Sequence, residues 1–175
     1  MDMVRVRSAR PDEAEMLADI GLRAWMRGIE PLVPVEVAAR IKAGNPFKPF
    51  IHSMGGRLMV AEIDGVAAGL GARERDDDTI SDIWVAPERE GRGAGSALLA
   101  ELEEQIAQAG YDTARLEVAA ENARALKLYL ARGYEPVWRE TRTDPILQLP
   151  LEKIGMEKRL PTPLRQVLQD GRENT

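Results

Sequence analysis

The segment Glu90-Gly91-Arg92-Gly93-Ala94-Gly95-Ser96 limits the folds open to this chain more than any other. Ahead of it, Thr79 to Val85 reads as a strand. Behind it, Ala94 to Ala109 reads as a helix, with Leu98, Leu102 and Ile106 on one face and Gly110 as its stop. Thr113 to Val118 reads as the next strand. A strand, loop, helix and strand in this order form a parallel, right-handed crossover, whose loop lies at the carboxyl ends of the strands, where α/β proteins bind ligands. Glycines let the backbone approach an anion, and the free N–H groups at a helix start point toward it. The helix dipole adds roughly 0.3–1 kcal/mol per favourable charge. Arg89 and Arg92 supply further positive charge. The segment therefore reads as a diphosphate site, against the bland alternative of a glycine turn that caps a helix and binds nothing. A Walker loop is excluded because the chain has no Gly-Lys pair. The dinucleotide pattern Gly-x-Gly-x-x-Gly is a near miss, ending at Ser96 or at Leu98, although Glu117 lies about the right distance on for a ribose contact. A dinucleotide enzyme ranks third.

Around this unit the chain alternates further. Met3 to Ala9 reads as an edge-like strand, Pro11-Asp12-Glu13 opens a helix with Met16, Leu17, Ile20 and Ala24 on its apolar face, and Val35 to Ala43 reads as a second short helix. Residues 45–56 give no clear pattern. Arg57 to Ile63 and Val66 to Ala72 read as strands joined at Asp64-Gly65. Asn122 to Arg132 reads as a helix stopped by Gly133, and Tyr134 to Thr143 and Ile154 to Leu160 as closing strands around a loop with Pro145 and Pro150. The order β-α-α-β-β-β-α-β-α-β-β is an α/β mixture, expected as a single domain over 1–160 with a polar tail over 161–175.

Composition excludes several chemistries. The chain has no cysteine and one histidine, His52, so neither a thiolate site nor a histidine cluster for a metal is expected. The single histidine has no Gly-x-Ser-x-Gly elbow to serve. The first residues lack a signal-peptide stretch, and no window reaches the ~18 apolar residues of a membrane span, so a cytoplasmic protein is expected. A formal net charge of −5 argues against a nucleic-acid partner and is compatible with a cationic acceptor.

Val85-Ala86-Pro87-Glu88-Arg89-Glu90-Gly91-Arg92-Gly93-Ala94-Gly95-Ser96-Ala97-Leu98-Leu99 resembles the acyl-CoA loop of the GNAT family of N-acetyltransferases, whose pattern Gln/Arg-x-x-Gly-x-Gly/Ala is met at Gly93 and Gly95. Glu90 stands where that pattern has Gln or Arg, and its side chain is expected to point away from the anion. A second block, Asn122, Ala125, Tyr129 and Gly133-Tyr134, is similar to the family's Asn-x-x-Ala-x-x-x-Tyr-x-x-x-Gly-Phe/Tyr signature. The resemblance spans roughly residues 3–160. It implies the acyl-CoA N-acyltransferase fold, a central mixed, mostly antiparallel sheet of six to seven strands with helices on both faces.

The resemblance also implies chemistry. Acetyl-CoA is the acyl donor, its pantetheine arm lying along Ile83, Trp84 and Val85 and its pyrophosphate on Glu90, Gly91, Arg92, Gly93, Ala94, Gly95 and Ser96. A backbone N–H near Val85 polarises the acyl carbonyl. Asn122 touches pantetheine while capping its helix, and Arg124 and Arg132 either reach the 3′-phosphate or face solvent. Tyr129 is the implied general acid toward the departing thiolate; by spacing alone it is equally a core aromatic of its helix. An alkyl ammonium, with a pKa of about 10.4, must lose a proton before it attacks. Asp82, flanked by Ile80, Ile83 and Trp84, is the first choice of base, ahead of Glu117 and Glu30. Trp25, Trp84 and Trp138 are candidates for lining an acceptor pocket or the core. With no cysteine to acylate, direct attack in a ternary complex is expected. The acceptor is a small-molecule or peptide amine that the sequence does not identify. The alternative is a catalytically silent acyl-CoA sensor on the same fold. Whether the closing strands pair in a homodimer is left open.

Overall fold

Alternating valine and arginine lay down β1 (Val4–Ser8), which pairs antiparallel with β2 (Met59–Ile63). A two-residue turn at Asp64 and Gly65, both at positive φ, returns the chain as β3 (Val66–Ala72). The computed structural model describes residues 1–161, so the expected tail, apart from Pro161, lies outside the described residues.

The expected strand Thr79–Val85 is divided at Ser81. Its first part, β4 (Thr79–Ile80), pairs parallel with β6 (Thr113–Ala119), as the crossover predicts. Its second part, β5 (Asp82–Val85), leaves β6 and pairs antiparallel with β3. Ser81 fixes the change of partner: its N–H (2.9 Å) and its hydroxyl (3.1 Å) both donate to the Ala72 carbonyl, and the hydroxyl accepts from the Glu74 N–H at 2.9 Å. Two four-stranded sheets result, ordered β1-β2-β3-β5 and β4-β6-β8-β7, where β7 is Glu135–Asp144 and β8 is Leu149–Arg159. Counted with β4 and β5 as one strand, these are the seven strands of the expected mixed sheet, and β4–β6 is their parallel pair.

Of the last two strands, β7 (Glu135–Asp144) lies one residue later than expected, while β8 (Leu149–Arg159) begins five residues earlier, and the two meet at a short turn. Pro150 sits inside β8 opposite Thr143. It is tolerated because β6 pairs with β8 only from Lys153 onward, so no third strand asks Pro150 for an N–H.

Helices α1 (Ala14–Gly28), α2 (Val35–Gly44) and α3 (Phe47–Met54) cover one side, burying Leu17, Ile41, Ile51, Leu58, Val60 and Leu70 together. Helices α4 (Ala94–Gln108) and α5 (Ala123–Ala131) share the other core with Leu98, Leu102, Ile106, Leu116 and Met156. Each such side chain stabilises the fold by about 1.5–3 kcal/mol relative to exposure. Helix α3 occupies the segment whose pattern was unclear. Asn45 starts it from a left-handed conformation, its side chain accepting from the Phe47 N–H (3.2 Å) and donating to the Ala18 carbonyl (3.3 Å). Pro46 and Pro49 fall before and within its first turn, where a missing N–H costs little. Among the described residues no helix is long and apolar enough to cross a membrane, and no acidic, histidine or cysteine cluster is arranged to hold a metal.

Candidate active site

The departure of β5 from β6 opens a cleft between the two sheets, and two cavities meet there. The larger, about 570 Å3, runs over the glycine loop and between α1 and α5. The smaller, about 260 Å3, lies on the α1–α3 side. Trp84 lines both. Successive strand N–H groups point to opposite edges. The Ala86 N–H donates to Ala68 in β3 at 2.8 Å, so the Val85 N–H faces the cleft.

Gly91 (φ 74°) and Gly93 (φ 95°) take left-handed conformations that turn the chain from the cleft into α4, and a side chain at either would be strained. The first helical bond is Ala97 N–H to the Gly93 carbonyl at 3.0 Å. The N–H groups of Ala94, Gly95 and Ser96, which line the large cavity, therefore have no helical acceptor. The side chain of Arg92 is not part of this surface; it pairs with Asp2 at 2.7 Å and approaches Asp64 at 3.7 Å. Arg27, Arg124 and Lys127 provide the positive lining instead. Arg132 is exposed elsewhere.

Glu90 corrects an expectation. Its side chain does not point away; it lines the cavity, ion-paired with Arg124 and 3.9 Å from the Arg27 guanidinium. These arginines, one at the end of α1 and one at the start of α5, draw the carboxylate into the cavity lining.

Asn122 caps α5 through a 3.3 Å bond from the Ala125 N–H and lines the large cavity beside Gly28, as do Ile83 and Val85. Tyr129 is 8% exposed and stands edge-on to Tyr134 with centroids 6.0 Å apart. Its hydroxyl has no hydrogen-bond partner among the described residues, whereas that of Tyr134 is bound to Glu103 at 2.9 Å. Burial drives the Tyr129 phenol well above its ordinary pKa, and the nearby Asp82 carboxylate adds to this. Asp82 is half-buried on the smaller cavity and accepts a 2.9 Å bond from the Trp84 indole. Burial raises its pKa, against the opposing Trp84 and Ser81 hydrogen bonds.

Of the other candidates, Glu117 lines the smaller cavity and pairs with Arg142 at 3.1 Å, while Glu30 is tied to Lys42 at 2.6 Å and lines neither. His52 is exposed on α3, outside both. Trp25 lines the smaller cavity, and Trp138 lies outside both, under the Arg142 guanidinium at 4.0 Å. Sequence reasoning missed Arg27 and Gly28, which reach the cleft only through the packing of α1. It also missed Phe47, Phe50 and Leu147, two of which lie in the segment without a pattern.

An acetyltransferase (GNAT) family model matches residues 24–134, and the chain belongs to that family. No curated protein matches the sequence. Among solved structures, the fold is similar to a GCN5-related N-acetyltransferase from Rhodopseudomonas palustris (21% identity, 91% of this chain and 98% of that one, TM-score 0.74). It is also similar to the PaiA N-acetyltransferase of Thermoplasma acidophilum in complex with coenzyme A (17% identity, 90% and 99%, TM-score 0.69). A third is the ribosomal-protein-S18-alanine N-acetyltransferase of Escherichia coli (22% identity, 92% and 96%, TM-score 0.66).

Proposed function

We propose that this chain moves an acetyl group from acetyl-CoA to a primary amine by direct attack in a ternary complex, with residues 1–160 as the catalytic domain. The observation that carries this reading is the division of the cleft at Trp84, with Tyr129 on the larger cavity and Asp82 on the smaller. The larger cavity falls within the ~300–1,000 Å3 usual for ligand sites. It combines free helix-start N–H groups with Arg27, Arg124 and Lys127, a fit for a diphosphate and its arm. The Thermoplasma relative in complex with coenzyme A supports that choice of donor.

Each residue then has a task. The Val85 N–H, aimed into the cleft, stabilises the oxyanion that forms on the acyl carbonyl. Asp82 takes the proton that the acceptor ammonium must lose, directly or through a water, and its raised pKa makes it a better base than an exposed carboxylate. The amine nitrogen bonds to the acyl carbon, the carbon–sulfur bond breaks and the thiolate takes the Tyr129 proton, while the second proton that the nitrogen sheds in becoming an amide returns through water to the Tyr129 phenolate. Tyr129 is suited to this because burial keeps it protonated and its hydroxyl is uncommitted.

Thiol release from acetyl-CoA across a panel of amines tests the reading, with CoA binding followed separately by calorimetry. The reading expects both CoA binding and thiol release. Binding without release from any amine would leave a silent acyl-CoA module; no CoA binding would remove the donor assignment altogether.

A further inference from the structure

The smaller cavity has a character of its own. At about 260 Å3 it is below the ~300–1,000 Å3 of sites for drug-sized ligands. Its inner wall is aromatic: Phe47 stands edge-on to Trp84 (centroids 5.3 Å apart) and to Phe50 (6.5 Å), with Trp25 beside them. Four carboxylates border it, Glu74, Asp82, Glu117 and Asp144, against one cation, Lys153. That lysine is held by Asp144 at 3.0 Å and Glu117 is paired with Arg142 at 3.1 Å, which leaves Glu74 and Asp82 without a paired cation among the described residues.

Its roof is the β7–β8 turn. Leu147 is 4% exposed and packs into the core beneath α2. The Asp144 carboxylate accepts from the N–H groups of Ile146 and Leu147, both at 2.9 Å, and sets the shape of the turn. Arg40 of α2 then fastens it, donating to the Ile146 carbonyl at 3.1 Å and the Leu147 carbonyl at 2.8 Å. A peptide acceptor would need an open groove for its backbone. This latch pins the turn against α2.

We propose that the acceptor is a compact primary amine with an apolar body and no carboxylate, its ammonium held at Asp82 beside Glu74 and its body against Trp25, Phe47 and Phe50. The assignment rests on the acyl-transfer reading for its chemistry, but the binding it describes is independent of turnover. Aromatic faces and fixed carboxylates both attract an alkyl ammonium. The same carboxylates repel an amino acid's own carboxylate, and that repulsion gives selectivity.

Two readouts on the full chain test it. Calorimetry compares 2-phenylethylamine with phenylalanine, and thiol release at saturating acetyl-CoA compares 2-phenylethylamine, hexylamine, phenylalanine and an octapeptide with a free N-terminus. The two monoamines are expected to exceed the amino acid and the peptide by about 100-fold in kcat/KM. Phe50→Ala, at a half-buried position, should raise KM for 2-phenylethylamine about tenfold with kcat little changed. Arg40→Ala should raise peptide turnover. Thiol release with the peptide or phenylalanine preferred, and no heat from 2-phenylethylamine, would overturn the acceptor assignment and leave acyl transfer standing. Heat from 2-phenylethylamine alone, with no thiol release from any amine, would sustain the pocket assignment and overturn acyl transfer.

Discussion

Tyr129 lines the larger cavity and Asp82 the smaller, and burial raises both pKa values, which makes Asp82 a stronger base and keeps Tyr129 a neutral hydrogen-bond donor. Tyr129→Phe keeps the ring packed against Tyr134, so kcat should fall about 100-fold while the CoA affinity from calorimetry changes little. Asp82→Asn separates stability from activity. The folded chain holds the Asp82 proton more tightly than the unfolded chain, whose carboxylate has a pKa of about 3.9. The stability of the wild type is thus full below that value and falls as pH rises through the raised folded value. The asparagine variant still accepts the Trp84 bond and lacks this cost. Thermal melts should place it above the wild type at pH 7, with the gap closing below about pH 4, even as its kcat/KM drops. Glu90 gives a third expectation of opposite sign. Its carboxylate holds Arg27 and Arg124 in the lining of the larger cavity. Freeing them by Glu90→Gln should tighten CoA binding severalfold by calorimetry.

Among the elements, the loop into α4 decides most. Gly93 holds φ at 95°, so Gly93→Ala should cost about 1–2 kcal/mol in denaturant unfolding and weaken CoA binding together. This loop was legible in the sequence because its determinants are adjacent: glycines, a preceding strand and a leucine-faced helix. The same holds for Asn122 and Tyr129, seven residues apart on one helix. Helix α3 was not legible, because Pro46, Pro49 and Gly55-Gly56 read as breakers, and only the buried Asn45 bond to Ala18 shows why the chain turns helical between them. The break in the fourth strand was equally hidden. Thr79 to Val85 is one continuous β-prone run, and the serine that divides it acts through a carbonyl nine residues earlier in the chain. The reach of β8 back to Leu149 was masked by Pro150, whose tolerance depends on where a different strand ends.

At the scale of the whole molecule, the site is a seam between two sheets. Its larger cavity comes largely from one crossover unit and was readable from residues 83–129. Its smaller cavity gathers residues from α1, α3, β5, β6 and the β7–β8 hairpin, elements far apart in the sequence. No motif encodes such a wall; only tertiary packing assembles it. The central claim, that the seam brings a CoA thioester to an amine, is tested most directly by one measurement: steady-state thiol release from acetyl-CoA with 2-phenylethylamine, wild type against Tyr129→Phe. The account predicts saturable release by the wild type and about 100-fold less by the variant at equal CoA affinity. Equal rates in the two proteins, or no release by a wild type that binds both ligands, would contradict it.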